Sequence, residues 1–146
     1  MKLLFICHGN ICRSPMAEYV MRDLLKKHGI THVTVDSCAT STEEIGNPVY
    51  PPAKRKLNAH GISCDGHAAR QVTKRDYAEY DKLICMDDRN IRNLMRIIGD
   101  DPEGKVCLLK DYTAGGDVAD PWYTGNFDIT YEEILAGCTA ILEELV

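Results

Sequence analysis

Polarity along the chain switches between short, unbroken apolar runs and longer stretches in which apolar residues recur every three or four positions. The first run, Leu3-Leu4-Phe5-Ile6 within residues 2–7, shows no polar alternation and suits a strand buried on both faces. Ser14 and Pro15 then offer a cap and a first turn. Met16, Ala17, Val20, Met21, Leu24 and Leu25 follow at helical spacing until Gly29 closes the helix. Residues 33–38 predict a second strand, and residues 40–52 are too rich in turn formers for a regular element. A helix is expected over 51–60, stopped by Gly61, and Thr73 with Asp76 reads as a capping box opening a short helix. Residues 82–86 predict a third strand. Ile91, Leu94, Met95 and Ile98 then define the core face of a helix over about 89–98. Residues 106–109 form the fourth strand candidate, a polar segment runs over 110–126, and a final helix is expected over about 130–145. Four strands alternating with helices predict a single α/β domain over residues 1–146: a doubly wound, four-stranded parallel sheet with helices on both faces.

Composition narrows the class. The 146 residues match one ordinary domain with a sizeable core. Seventeen Lys and Arg against 22 Asp and Glu leave a net charge of −5, which argues against general nucleic-acid or anionic-membrane binding. Any anion site must therefore be local. No apolar stretch approaches a membrane span and the N-terminus lacks a signal-peptide pattern, so a cytoplasmic, monomeric protein is the expectation. Seven cysteines without framework spacing fit reduced thiols, with Cys38, Cys64, Cys85, Cys107 and Cys138 as packing residues.

The chemistry concentrates in Cys7-His8-Gly9-Asn10-Ile11-Cys12-Arg13-Ser14, between the first strand and the first helix. A loop in that position aims backbone N–H groups and the positive end of the helix at one point, where a dianionic phosphate fits. The same field favours thiolate over thiol at Cys7 and makes it a candidate nucleophile. Arg13 can return to that centre with two parallel N–H groups, and the Ser14 hydroxyl can donate to the sulfur. Gly9 allows backbone geometry that a side chain would block, while Asn10 tolerates a left-handed conformation. Metal binding fits poorly, since no second Cys/His pair matches Cys7 and Cys12, and a nucleotide-binding loop would need Lys before Ser14. No metal and no cofactor are expected. Ser37 and Asp87, at the C-terminal ends of the second and third strands, fall on the edge where open parallel sheets bind ligands.

Cys-x5-Arg-Ser near the N-terminus, its interior Gly-Asn-Ile-Cys, the following Pro-Met-Ala-Glu and the distant Asp120-Pro121-Trp122-Tyr123 together resemble the low-molecular-weight protein tyrosine phosphatase family. The resemblance implies hydrolysis of protein phosphotyrosine through a phosphocysteine on Cys7. In that scheme Arg13 binds phosphate and Asp120 serves as general acid, then base. It also implies that Ser37 and His67 brace Asn10, that Trp122 and Tyr123 wall the cleft, and that Glu43 occupies a rim position where members often carry an aromatic residue. An acidic rim would favour basic peptides. Inorganic phosphate and similar oxyanions are expected as product-like ligands. Cys12, near Cys7, could form a reversible disulfide with it under peroxide.

Three rivals share this scaffold. Related bacterial protein-arginine phosphatases carry Thr where this chain has the apolar Ile11, which favours the tyrosine ester. A thiol-dependent arsenate reductase needs a shuttling cysteine pair, and Cys85 has no partner before Cys107. A phosphocarrier domain would hold its phosphocysteine and would need neither Arg13 nor Asp120.

Overall fold

The computed structural model describes all residues from Met1 to Val146. Its centre is a parallel sheet of β1 (Lys2–Cys7), β2 (Thr34–Ala39), β3 (Lys82–Cys85) and β4 (Val106–Leu108) in the order β2-β1-β3-β4. Six helices join and flank these strands: α1 (Arg13–Lys27), α2 (Pro51–Ala59), α3 (Lys74–Glu79), α4 (Asp88–Ile98), α5 (Pro121–Thr124) and α6 (Phe127–Leu145). The parallel α/β sheet anticipated from the apolar runs is therefore present. No helix is long and apolar enough to cross a membrane.

The unbroken polarity of β1 has a direct cause in the layering. Successive strand residues face opposite sides. Leu3, Phe5 and Cys7 join one buried cluster with Met16, Ala17, Val20 and Met21 of α1, Leu57 of α2 and Ile134, Cys138 and Ile141 of α6. Leu4 and Ile6 join the opposite cluster with Leu83, Cys85 and Leu94, against which Tyr77, Ile91 and Ile98 pack. Both faces of β1 are dry, so neither set of positions can be polar.

Strand order also locates the ligand edge. β1 pairs with β2 on one side and β3 on the other, so the chain reverses its winding direction at β1. A crevice opens at such a switch point beyond the strand C-termini. Cys7 is the last residue of β1 and enters it.

Several boundaries differ from the sequence expectation for local reasons. Helix α1 begins at Arg13 with Cys12 in the cap position, and Ser14 is inside the helix, not its cap. Helix α6 begins three residues before Thr130, because Asn126 Oδ1 accepts the N–H groups of both Asp128 and Ile129. Leu109 belongs to a 3₁₀ turn, Leu109–Tyr112, and not to β4. Residues within 110–126, expected as one polar segment, contain this turn and α5, whose first turn is capped by Asp120 Oδ1 accepting from the Trp122 N–H.

Candidate active site

The loop from Cys7 to Arg13 is shaped by Asn10, the one non-glycine residue with positive φ, at 59°. Asn10 is fully buried, and every polar group of its side chain is engaged. Its Nδ2 donates to Ser14 Oγ at 2.8 Å and Ser37 Oγ at 2.9 Å, while its Oδ1 accepts the Arg70 N–H at 3.2 Å. The His67 Nε2 lies 2.8 Å from the Asn10 carbonyl, so the histidine contacts the backbone of Asn10 and not its amide. Holding a side-chain-bearing residue in the left-handed region costs about 1–2 kcal/mol, which these bonds offset.

The sulfur of Cys7 sits at the floor of this loop, 2.9 Å from Ser14 Oγ and 3.3 Å from the Asn10 nitrogen, whose N–H donates to it. Ser14 has one proton to give, and the carbonyl of Cys38 lies farther away, at 3.4 Å. The Ser14 oxygen also accepts from Asn10 Nδ2, so the hydroxyl is free to turn its proton to the sulfur when the sulfur accepts.

Arg13 is almost entirely enclosed. Its Nη1 donates to the Val118 carbonyl at 3.0 Å and its Nη2 to Asp87 Oδ2 at 2.8 Å, with Asp120 Oδ2 at 3.4 Å. Burial alone disfavours its charge, but Cys7, Asp120 and Asp87 outweigh burial and hold the guanidinium's pKa above its ordinary value. Asp87 is itself divided: Oδ1 accepts the Asn90 N–H and caps α4, leaving Oδ2 for the arginine. A guanidinium carries five N–H groups. These contacts engage three of them.

Cys7, Arg13, Asp87, Val118 and Asp120 line a cleft of about 770 Å³, which also includes Gly9, Ile11, Cys12, Glu43, Trp122 and Tyr123. Trp122 and Tyr123 are 62% and 77% exposed, so neither is a core residue. Tyr50 packs on Trp122 with ring centroids 5.3 Å apart, bracing that wall. Glu43 lies at the mouth with Oε2 at 3.0 Å from His8 Nε2. Burial first, then the neighbouring Cys7 and Asp120, pushes the Cys12 thiol up to about 12. All seven cysteines are free, with only Cys107 less than fully buried.

Two contributors escaped the sequence reading. Glu18 is buried on α1, where its Oε1 accepts the Ser37 hydroxyl proton at 2.6 Å and its Oε2 pairs with Arg22. Burial raises its pKa, against the opposing pull of Ser37 and Arg22. The signal was the spacing Ser14, Glu18, Arg22, which stacks polar groups one turn apart on a helix otherwise facing the core. Arg70 is the second; its side chain is anchored by Asp76 and Asp36 while its N–H holds Asn10.

The chain and its fold are similar to those of known proteins. The chain is 40% identical to the low molecular weight protein-tyrosine-phosphatase YfkJ of Bacillus subtilis, over 98% of this chain and 94% of that relative. The crystal structure of YfkJ superposes with a TM-score of 0.95, covering 99% of this chain and 94% of that one. A low molecular weight phosphotyrosine protein phosphatase of Mus musculus is 39% identical over 97% of this chain and 94% of its own. Wzb of Vibrio vulnificus, solved in complex with benzylphosphonate, is 27% identical with a TM-score of 0.87, covering 98% of this chain and 97% of that one. The family model described as low molecular weight phosphotyrosine protein phosphatase matches residues 2–146, and the chain belongs to that family.

Proposed function

We propose that this protein hydrolyses phosphotyrosine in proteins, forming a phosphocysteine on Cys7. The observation that carries the reading is the convergence of the Cys7 sulfur, the Ser14 hydroxyl and the Arg13 guanidinium at the end of β1, with Asp120 beside the arginine. A phosphate dianion fits above the loop on the backbone N–H groups and the charged Arg13 guanidinium. The sulfur attacks phosphorus in line with the phenolic oxygen, the S–P bond forms, and the P–O bond breaks as Asp120 gives its proton to that oxygen. Water then attacks phosphorus, Asp120 takes its proton, and the S–P bond breaks to return the thiolate and release phosphate. Ser14 stabilises the sulfur as it leaves in this second step.

Trp122 and Tyr123 supply flat walls for the aryl group, and the depth of Cys7 below them favours a long phosphotyrosine over a short phosphoserine. The apolar side chain of Ile11 in the cleft favours an aryl ester over a guanidinium. The binding of benzylphosphonate by the Vibrio relative supports phosphate and related oxyanions as ligands here.

Phosphate release from matched phosphotyrosine and phosphoarginine peptides, with EDTA present, tests the reading in wild type and Cys7→Ser. Preference for phosphotyrosine, abolished in the variant, is expected. Preference for phosphoarginine, or turnover that survives loss of the thiol, overturns it.

A further inference from the structure

Asp120 works only if its carboxyl meets the phenolic oxygen, yet it stands in a segment of little regular structure. What fixes it lies immediately before it. All four backbone polar groups of Val118 and Ala119 are engaged. The Val118 N–H donates to the Met86 carbonyl at 2.8 Å, and the Val118 carbonyl accepts from Arg13. The Ala119 N–H donates to Glu133 Oε1 at 2.9 Å, and the Ala119 carbonyl accepts the Thr130 hydroxyl at 2.8 Å. Thr130 and Glu133 lie three residues apart on one face of α6, so a single helix grips both backbone polar groups of one residue, Ala119.

Glu133 is itself held. Its other oxygen, Oε2, pairs with Lys110 of the 3₁₀ turn, and both side chains are largely shielded from water. Thr130 is fully buried. A backbone hydrogen bond to a partly buried carboxylate that is already neutralised by a lysine is stronger and better directed than one to solvent. Nothing in the cleft requires these three residues: none of them lines it.

We infer that Thr130 and Glu133, the latter oriented by Lys110, are positioning residues that hold Ala119 and thereby aim the Asp120 carboxyl at the leaving oxygen. The inference rests on Asp120 being the general acid. It assigns the N-terminal half of α6, expected from the sequence only as part of a final helix, a part in catalysis that acts entirely through the loop it grips.

The acid matters in proportion to the basicity of the leaving group. An ester of a strongly acidic phenol departs without a proton, whereas phosphotyrosine does not. The ratio of kcat/KM for a phosphotyrosine peptide to kcat/KM for difluoromethylumbelliferyl phosphate therefore reports acid placement. It is independent of the fraction of enzyme that is folded. Asp120→Asn sets the scale. Thr130→Val and Glu133→Ala are expected to lower the ratio about tenfold, a loss that sub-ångström misplacement of a reacting group can produce. Thr130→Ser and Glu133→Gln retain a donor and an acceptor toward Ala119 and are expected to keep the ratio near wild type. If Asp120→Asn lowers the ratio but Thr130→Val and Glu133→Ala leave it unchanged, the positioning role is wrong while the acid stands. If Asp120→Asn itself leaves the ratio unchanged, both fall. A ratio lowered equally by the conservative and the disruptive variants also overturns the role, since the bonds to Ala119 would then not be the cause.

Discussion

Replacing Asn10 by Ala removes three buried hydrogen bonds at once: two from Nδ2 to Ser14 and Ser37, and one to Oδ1 from the Arg70 N–H. At about 1 kcal/mol each, and more where the Arg70 N–H is left unpaired, the amide contributes about 3 kcal/mol. The backbone adds a smaller part, since φ is 59° and Ala tolerates that region less well than Asn by about 1 kcal/mol. Asn10→Gly separates the two. Glycine relieves the strain but frees the unfolded chain by roughly 0.5–1 kcal/mol, so the two changes nearly cancel. Urea unfolding should therefore show both variants destabilised by about 3–4 kcal/mol and within about 1 kcal/mol of each other. Phosphatase activity should fall about a hundredfold in both, because the lost amide fixes the loop whose backbone N–H, kept in both variants, donates to the Cys7 sulfur and sets its position. An Asn10→Gly protein with wild-type stability would refute the reasoning, placing the whole effect in the backbone and none in the amide.

Gly137 packs against Leu109, and a Cβ there would lie 2.6 Å from Leu109 Cγ. Leu109 is fully buried and has nowhere to retreat, so Gly137→Ala should cost about 1–3 kcal/mol despite the better helix propensity of alanine; unchanged thermal stability would contradict this. Glu18 has a native pKa raised by burial, so the unfolded chain releases that proton first and its contribution to stability falls as pH rises from about 4.3 through the native value. Glu18→Gln should thus gain on wild type in urea midpoint between pH 4 and pH 7, and a constant difference would count against the assignment. Under peroxide, Cys7 is expected to pass to a sulfenic acid that the Cys12 thiol attacks, forming the disulfide and releasing water. With the Cys12 thiol held up at about 12 in the reduced protein, this closure should be slow; in Cys12→Ser a second peroxide should carry the unprotected sulfenic acid to sulfinic acid, an activity loss that dithiothreitol does not reverse. Full recovery of that variant would exclude Cys12 as the resolving thiol.

What the sequence disclosed follows a physical division. Cys7, Arg13 and Ser14 were legible because their geometry is local: one strand end, one loop and one helix start fix all three. Ser37 and Asp87 were legible through topology, since strand C-termini in a doubly wound sheet share an edge. Arg70, Thr130 and Glu133 were not, because each holds a loop that only tertiary folding brings to it. Their local patterns are those of ordinary helix or loop residues. The early start of α6 was hidden for a related reason: Asn126 caps it with one side-chain oxygen, yet Gly125, Asn126 and Asp128 continue the polar, turn-forming character of the segment before it.

The central claim is a covalent one, and it is tested most directly by rapid acid quench of the enzyme during turnover of a phosphotyrosine peptide, followed by mass spectrometry of its proteolytic fragments. Phosphate on the fragment containing Cys7, forming no more slowly than tyrosine is released and absent from Cys7→Ser, is the expected result. Turnover with no phosphoenzyme at any quench time, in an Asp120→Asn protein slowed enough to accumulate one, would contradict it.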